Sequence, residues 1–538
     1  MRGMKNAANS LENLSKAELI NALQAAQDAL RERDNIIHIL HEKLRLIGAK
    51  TYGVRSEQRS NDPQSDLFNE AEQIGHAEDD NSLEAGSIIV DDSATATDEQ
   101  SETITYTRRK RPGRKPLPES LPRVEIELDI PQADKVCGCG CQKKHIGSDS
   151  NEQLEIIPQK MFVARYLRHK YVCPQCEDGV QIAPPQPTMI PKSNAGPGLL
   201  AYVVTAKYQD ALPLYRQEKI FSRYGVELTR QTLANWIIKC SQALDPLLNL
   251  FEQAMRQAPV ILMDETTVQV NKEDGKAASS KSFMWIRRAL APPDDGNRHG
   301  KDITLYHYSP SRSGEVAAQL LKDYRGALMS DAYAGYNNVA AAQNLMHAQC
   351  WAHARRKFVD AEKSLPKGKK SPAITAILNE IAKLYAVEKQ IKTLDAEQKQ
   401  ERRTQLATPI LDKLHQSLLK KANEVLSKSA LGEAVNYTLK CWGGLTQYLK
   451  NGHIPIDNNG AENGIRPFVI GRKNWMFCDT VNGAHASARL YSVIETAKAN
   501  GLEPYQYLRH LFTELPKAKT DAEVEKLLPW QIDPLTLE

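Results

Sequence analysis

Near the start of the chain an apolar residue recurs every seventh position: Leu23, Leu30, Ile37 and Leu44, with Ala26, Leu40 and Ile47 at the complementary positions and Arg33 the one break. A proline-free stretch with that period predicts a helix over Leu11–Lys50 whose narrow stripe is a coiled-coil seam. An amphipathic helix lying on its own domain is the alternative. The pattern then vanishes. From Asn61 to Ile104 there are 13 Asp or Glu residues, no Lys or Arg, and few large apolar side chains. Such a stretch cannot offset its chain entropy and is predicted to be a disordered linker.

Helical periodicity returns over Ala195–Leu244. Within it, Tyr215–Arg223 and a second helix starting at Thr229 flank the turn Tyr224-Gly225-Val226, the shape of a helix-turn-helix. The rhythm next switches to strands. Val260–Met263 is a continuous apolar run that ends in Asp264-Glu265-Thr266. Two further strands are predicted over Lys281–Leu290 and Asp302–Ser309, followed by a helix over Gly314–Tyr324. The strand Ala327–Ser330 then ends in Asp331. Another strand, Met346–Cys350, leads into a helix carrying His353, Arg355, Arg356 and Lys357. A Lys-rich helical stretch covers Lys367–Lys450.

Three strands, a helix and a further strand, with acids ending the first and fourth, is the order expected of an RNase H-like mixed sheet. The predicted architecture is therefore multidomain α/β. A coiled-coil segment (1–55), acidic linker (56–107), basic arm (108–130), zinc-binding domain (131–192) and helix-turn-helix domain (193–256) precede the core. The core spans 257–365 and 453–494 around a helical insertion (366–452), and a C-terminal helical domain occupies 495–538.

Composition narrows the class. With 538 residues, 41% hydrophobic and 25% charged, the chain is long enough for several packed domains. No apolar run is long enough for a membrane span and no signal-peptide pattern opens the chain, so a cytoplasmic, nucleoid-associated protein is expected. The net charge of +4 is small. It conceals segregation, because Arg108, Arg109, Lys110, Arg111, Arg114 and Lys115 stand together without an anion, broken by prolines. Such an arm suits phosphates or a minor groove, while a solvated linker is the plainer reading.

Five of the 9 cysteines crowd together as Cys137, Cys139 and Cys141, then Cys173 and Cys176. In a reducing compartment, paired knuckles of this kind hold a structural Zn2+. Spacing leaves open whether Cys137 is joined by Cys139 or Cys141. Arg230 and Gln231, at the start of the second helix of the helix-turn-helix, are types that reach phosphates and base edges.

The third acid of interest is Glu462, in Asp457-Asn-Asn-Gly-Ala-Glu462-Asn-Gly-Ile-Arg466. It is expected on a short helix or turn with Asn458 or Asn459 as N-cap and Gly464 and Pro467 limiting its length. Asp264, Asp331 and Glu462 together would hold two Mg2+ or Mn2+ ions, which need hard oxygen ligands of this charge. Glu265 and Asp457 are rivals for metal contact, and Glu462 paired with Arg466 is the plainer reading. Arg355, Arg356, Arg466, Arg472 and Lys473 would clamp phosphates. Trp475 would stack on an unpaired base or, on the plainer reading, pack in the core. His353 would assist proton transfer, contact DNA or serve structure alone.

These motifs, together with Gly113-Arg114-Lys115-Pro116, Asp331-Ala-Tyr-Ala-Gly-Tyr336, Cys350-Trp-Ala-His-Ala-Arg-Arg-Lys-Phe358, Glu462-Asn-Gly-Ile-Arg-Pro467, Gly471-Arg-Lys-Asn-Trp475 and Glu495-Thr-Ala-Lys-Ala-Asn-Gly501, resemble the transposases of the bacterial insertion-sequence family sixty-six over nearly the whole chain. The resemblance implies a DDE catalytic core with a helical insertion, action at terminal inverted repeats and on target DNA, and small accessory proteins of the same element. It aligns Cys139-Gly140 with the family's second zinc ligand, leaving Cys137 as partner and Cys141 outside the pattern. A homo-oligomer is expected from the seam. The expected chemistry is metal-assisted release of a 3′ hydroxyl at the element end, followed by its in-line attack on target DNA.

Overall fold

The computed structural model describes residues 15–52, 161–171, 181–290 and 302–537. The knuckle cysteines Cys137, Cys139, Cys141, Cys173 and Cys176, the basic arm from Arg108 to Lys115, and the acidic stretch 61–104 lie outside the described residues. The chain divides into two compact units, residues 1–79 with 186–538, and residues 80–185. Within the smaller unit β1 (Lys170–Tyr171) pairs antiparallel with β2 (Gln181–Ile182), and Arg168 Nε donates to Ala183 O at 2.7 Å.

In the larger unit, α1 (Lys16–Tyr52) is a single helix. Leu23, Leu30, Ile37, Leu40, Leu44 and Ile47 are all more than half exposed along it. Apolar packing then resumes. Helix α2 (Pro197–Tyr208) is buried over most of its length. Helices α3 (Leu214–Arg223) and α4 (Arg230–Ala243) are joined through Gly225, whose φ of 74° is a conformation that glycine adopts without steric cost. Thr229 caps α4 by accepting from Thr232 N at 3.2 Å. Helix α5 (Asp245–Arg256) then delivers the chain to the sheet.

The sheet is mixed. Strands β3 (Val260–Lys272), β4 (Lys281–Ala289) and β5 (Ile303–Ser309) form an antiparallel meander. Helix α6 (Gly314–Leu320) follows and stops short of the expected Tyr324, because Asp323 turns into the left-handed region at φ 64°. Strand β6 (Ala327–Ser330) runs parallel to β3; α7 (Ala334–Gln343) leads to β7 (Met346–Gln349), parallel to β6. The strand order is β5-β4-β3-β6-β7.

Strand β3 does not end at Asp264, as the apolar run alone predicts. It continues to Lys272 because β4 supports it rung by rung, from Ile261↔Ala289 through Asp264↔Ile286 to Gln269↔Lys281. On the other edge, β6 pairs only as far as Leu262↔Met329. That edge is next paired at Val270 and Lys272 by the short strand β8 (Cys478–Thr480). Between these two pairings β3 has an open notch, and Asp264 lies in it.

Helix α8 (Trp351–Lys363) follows β7 and leads into the helical insertion. The insertion contains α9 (Pro372–Gln390), α10 (Ala396–Leu406), α11 (Thr408–Glu424) and α12 (Ala430–Lys440). Ile374, Ile377, Ile381 and Leu384 of α9 form one buried stripe, and Leu411, Leu414 and Leu418 of α11 another, so the insertion has its own apolar seam. Helix α1 docks here: its buried Glu42 accepts from Ala430 N at 2.9 Å, and Arg45 Nε donates to Ser364 O at 2.7 Å.

The chain returns to the sheet in α13 (Asn459–Trp475), 17 residues long where a short element was expected. Gly464 does not stop it. A Cβ there would meet Ile286 Cδ1 at 2.8 Å, so glycine lets the helix lie against β4. Pro467 is carried inside the helix, at the cost of one backbone bond. Helix α14 (Val481–Ala499) covers β5, where Ser492 Oγ accepts from Tyr306 N at 2.8 Å and Thr496 Oγ1 accepts from Thr304 N at 3.0 Å. These hydroxyls satisfy an edge strand that would otherwise invite pairing with another chain. Helix α15 (Pro504–Glu514) packs on α2, and α16 (Asp521–Glu525) on α5. Among the described residues no helix is long and apolar enough to cross a membrane.

Candidate active site

Three separate segments bring acids to the notch. Asp264 is on β3, and its Oδ1 accepts from Glu265 N at 2.8 Å. Asp331 directly follows β6, and its Oδ1 accepts from Tyr333 N at 3.0 Å, which sets the turn into α7. Glu462 stands in the first turn of α13. Burial pushes the Asp264 carboxyl up to about 8; the negative charges of Glu265, Glu462 and Asp331 push the same way, against the pull of the Glu265 amide. Asp331 and Glu462 are far from Asp264 in the chain yet near enough in the fold to act on its charge, while the tighter cluster of ligand atoms is that of Glu462 with Cys350 and His353.

The start of α13 is pinned to β3 by Asn458. Asn458 is the N-cap residue, as expected, but its side chain makes no capping bond: Nδ2 donates to Met263 O at 2.8 Å, beside Asp264. The neighbouring Asp457 closes the turn instead, accepting from Asn459 N at 3.1 Å. Burial raises the Asp457 carboxyl to about 6.

Helix α8 supplies the partners of Glu462. Arg356 Nη2 lies 3.3 Å from Glu462 Oε2, and His353 Nδ1 lies 3.6 Å from Oε1. Both contacts reach Glu462 from another helix. Glu462 Oε1 and His353 Nδ1 are both buried and make no hydrogen bond. Burial lowers the His353 pKa, against the opposing pull of Glu462. Cys350 joins the pair: ligand atoms of Cys350, His353 and Glu462 all lie within 4.8 Å of one another, and Cys350 Sγ accepts from Asn458 N at 3.1 Å. In the sequence Cys350 stands only as the start of the motif that ends at Phe358, with no site role. The signal was Cys-x-x-His straddling a strand-to-helix junction, which places both side chains on one turn.

Glu265 faces other partners. Its Oε1 takes an ion pair from Arg312 at 2.5 Å and its Oε2 accepts from Tyr336 Oη. No local pattern marks Arg312, and Tyr336 stands in the sequence only as the end of the motif that starts at Asp331; each reaches Glu265 through the fold. Beneath Asp331, Ser330 Oγ lies 2.8 Å from a ring nitrogen of His347, whose pKa burial lowers to about 4.

The basic residues divide between two places. Arg472 Nη1 reaches Thr266 Oγ1 at 3.3 Å and Thr267 Oγ1 at 3.2 Å, just along β3 from Asp264. Lys473 is exposed beside it, and Arg355 and Arg466 are half-buried on α8 and α13. Arg230 and Gln231 are exposed at the start of α4, away from these helices in the chain. Trp475 packs inward: its ring meets Phe468 edge-to-face at 5.5 Å, and Lys207 Nζ lies over it at 5.3 Å.

In this helix-bearing mixed sheet Asp264 stands just past the last rung that β3 shares with β6, and Asp331 directly follows β6, at the carboxyl side of the parallel pairing where open α/β sheets bind ligands. The comparisons give the family. A profile described as Transposase IS66 family matches residues 192–486, more than half of the chain. The chain belongs to that family. A profile for the IS66 C-terminal element matches 492–530, and one described as Transposase C of IS166 homeodomain matches 39–126. The zinc-finger binding domain of transposase IS66 matches 134–177, a span holding all five knuckle cysteines, and supports a structural zinc there. Among curated relatives, the uncharacterized protein y4jD of Sinorhizobium fredii is 33% identical over 77% of this chain and 81% of its own length. The uncharacterized protein y4qI of the same organism is 29% identical over 98% of this chain and 95% of its own.

Proposed function

We propose that the chain is a DDE-type transposase with an RNase H-like core, which cleaves DNA at the ends of its element and joins the freed 3′ hydroxyls to target DNA. The observation that carries this is that Asp331 and Glu462, from other elements, come near enough to Asp264 in the notch of β3 to raise its carboxyl. The strand order, with an antiparallel meander beside two parallel strands, supports the RNase H-like reading.

The donor set fits hard divalent cations. The acids repel one another, and the buried Glu462 Oε1 has no hydrogen-bond donor. A cation would relieve both. Asp264, Asp331 and Glu462 would hold Mg2+ or Mn2+; Glu265 is engaged by Arg312 and Tyr336 and stands aside. Bound there, the ions would polarise the scissile phosphate and favour an ionised attacking oxygen. The chain itself orients the acids: Asn458 fixes the start of α13, Arg356 holds one Glu462 oxygen, and the Tyr333 amide holds one Asp331 oxygen. Arg466, Arg472 and Lys473 follow Glu462 along α13 and would track the phosphates, while Arg230 and Gln231 would read the terminal repeat. The arm at Arg108–Lys115 would add charge-driven affinity. The exposed seam of α1 would pair two copies, and deleting residues 1–52 should leave a monomer by solution mass.

The test is incubation of element-end duplex and supercoiled target with Mg2+ or Mn2+. Covalently joined products are expected, and Asp264→Asn, Asp331→Asn and Glu462→Gln should each abolish cutting. Cut but unjoined DNA would mark a nuclease. Binding with neither reaction would mark a regulator.

A further inference from the structure

The C-terminal end of α13 carries an unusual turn. Met476 has φ 66° and ψ −50°, and Phe477 N donates to Trp475 O at 2.9 Å. That closure over three residues with positive φ is the rare and strained form of γ-turn. Strain of this kind persists where both flanks are over-determined, and it concentrates at functional sites. Both flanks are fixed here: Trp475 packs on Phe468, and the buried Cys478 pairs with Val270 in the sheet. The turn drives two apolar side chains outward, leaving Met476 69% and Phe477 43% exposed.

Their setting is basic and lies on the helix that carries Glu462. Lys473 and Asn474 are exposed one turn earlier, and Arg472 leans onto β3 near Asp264. Met476 comes 14 positions after Glu462, about 20 Å along a helix rising about 1.5 Å per residue. That span is about six base steps of duplex. Apolar side chains held beside phosphate-binding cations suit a wedge between bases, and Met and Phe both serve in that role in DNA-bending proteins. A protein partner on this patch would have to lie against the cations that flank it.

We infer that Met476 and Phe477 form a wedge that enters one base step of the element-end duplex, about six steps from the cut, while Arg472 and Lys473 hold the adjoining phosphates. The wedge positions DNA and takes no part in bond making. It rests on the transposase reading above, and the strained turn is the means of presenting it rigidly.

The test uses the full chain and a duplex of the DNA end flanking its own coding sequence, with 2-aminopurine placed at one position at a time. Without divalent cation, binding should raise fluorescence at one step only. Met476→Gly with Phe477→Ala should abolish the rise and slow cutting about tenfold in Mg2+, the scale of one lost stacking contact. A single mismatch at the lit step, already unstacked, should restore the variant's cutting. Glycine suits the positive φ, so the thermal melt should be unchanged; Phe477→Ala alone is the second variant if it is not. Cutting by the native chain with no fluorescence rise at any position overturns the wedge and leaves the transposase reading standing. So does a variant with native cutting, or one that changes only the mass in solution. A native chain that shows the rise but never cuts overturns the transposase reading instead.

Discussion

The notch of β3 and the interior of the helical insertion both bury charge, and they treat it in opposite ways. In the insertion, Arg403 is 2% exposed and fully partnered. Its Nε and Nη2 reach the two Glu388 oxygens at 2.8 and 2.7 Å, Nη1 donates to Tyr448 O at 2.8 Å, and the Tyr448 ring lies beneath the guanidinium. In the notch, acids face acids, and Glu462 Oε1 and His353 Nδ1 are left without hydrogen bonds. A satisfied buried charge holds a fold in one arrangement, whereas an unsatisfied one stores a demand that a ligand can meet.

The contrast can be broken from either side. The largest effect is expected from Asp264→Asn, Asp331→Asn and Glu462→Gln, each slowing strand cleavage at least about a thousandfold, some 4 kcal/mol in the barrier. Asp264→Asn should also melt no lower than the native chain without metal, because it removes the repulsion on that carboxyl. Arg403→Leu should do the reverse, costing about 3 kcal/mol of stability by leaving Glu388 unpaired, and Arg403→Leu with Glu388→Met should recover most of it in a denaturant titration.

Next comes pH. The folded-state pKa of Asp264, about 8, lies above its ordinary value of 3.8, so its proton is held more tightly in the folded chain. The stability it contributes is complete below the ordinary carboxylate range and is lost as pH rises through about 8. Metal-free protein should therefore lose about 1–2 kcal/mol between pH 5 and pH 9, a discounted figure for a partly hydrated group. Asp264→Asn should flatten that slope, and added Mg2+ should restore stability most at the high end. The smallest effect belongs to a satisfied group at the surface: Thr229→Ala removes the cap of α4 and should cost about 1 kcal/mol.

Several features were legible in the chain because their physics is local. The period of seven marked α1, the apolar runs marked β3 and β6 with an acid at each end, and Thr229 with Gly225 marked the joint between α3 and α4. Glu462 was legible as a motif, but its helix was misjudged. Gly464 and Pro467 read as breakers, yet one serves close packing on Ile286 and the other is tolerated inside a helix held by tertiary contacts. Asn458 read as the N-cap and does hold that position, but its side chain serves as a strut to Met263.

What the sequence determined by itself was therefore the inventory: the strands and helices, a zinc-finger segment, the positions of the acids and the family. Periodicity, spacing and residue chemistry act over a few positions and survive in a linear string. What only the tertiary structure decided was the pairing. It ended β6 three rungs into β3 so that a notch opened at Asp264, turned Glu265 away to Arg312 and Tyr336, and set His353 and Arg356 against Glu462. Those choices depend on which strand stops first and which helix crosses it. Such long-range contacts are selected by the packing of the whole core, and no stretch of sequence contains them.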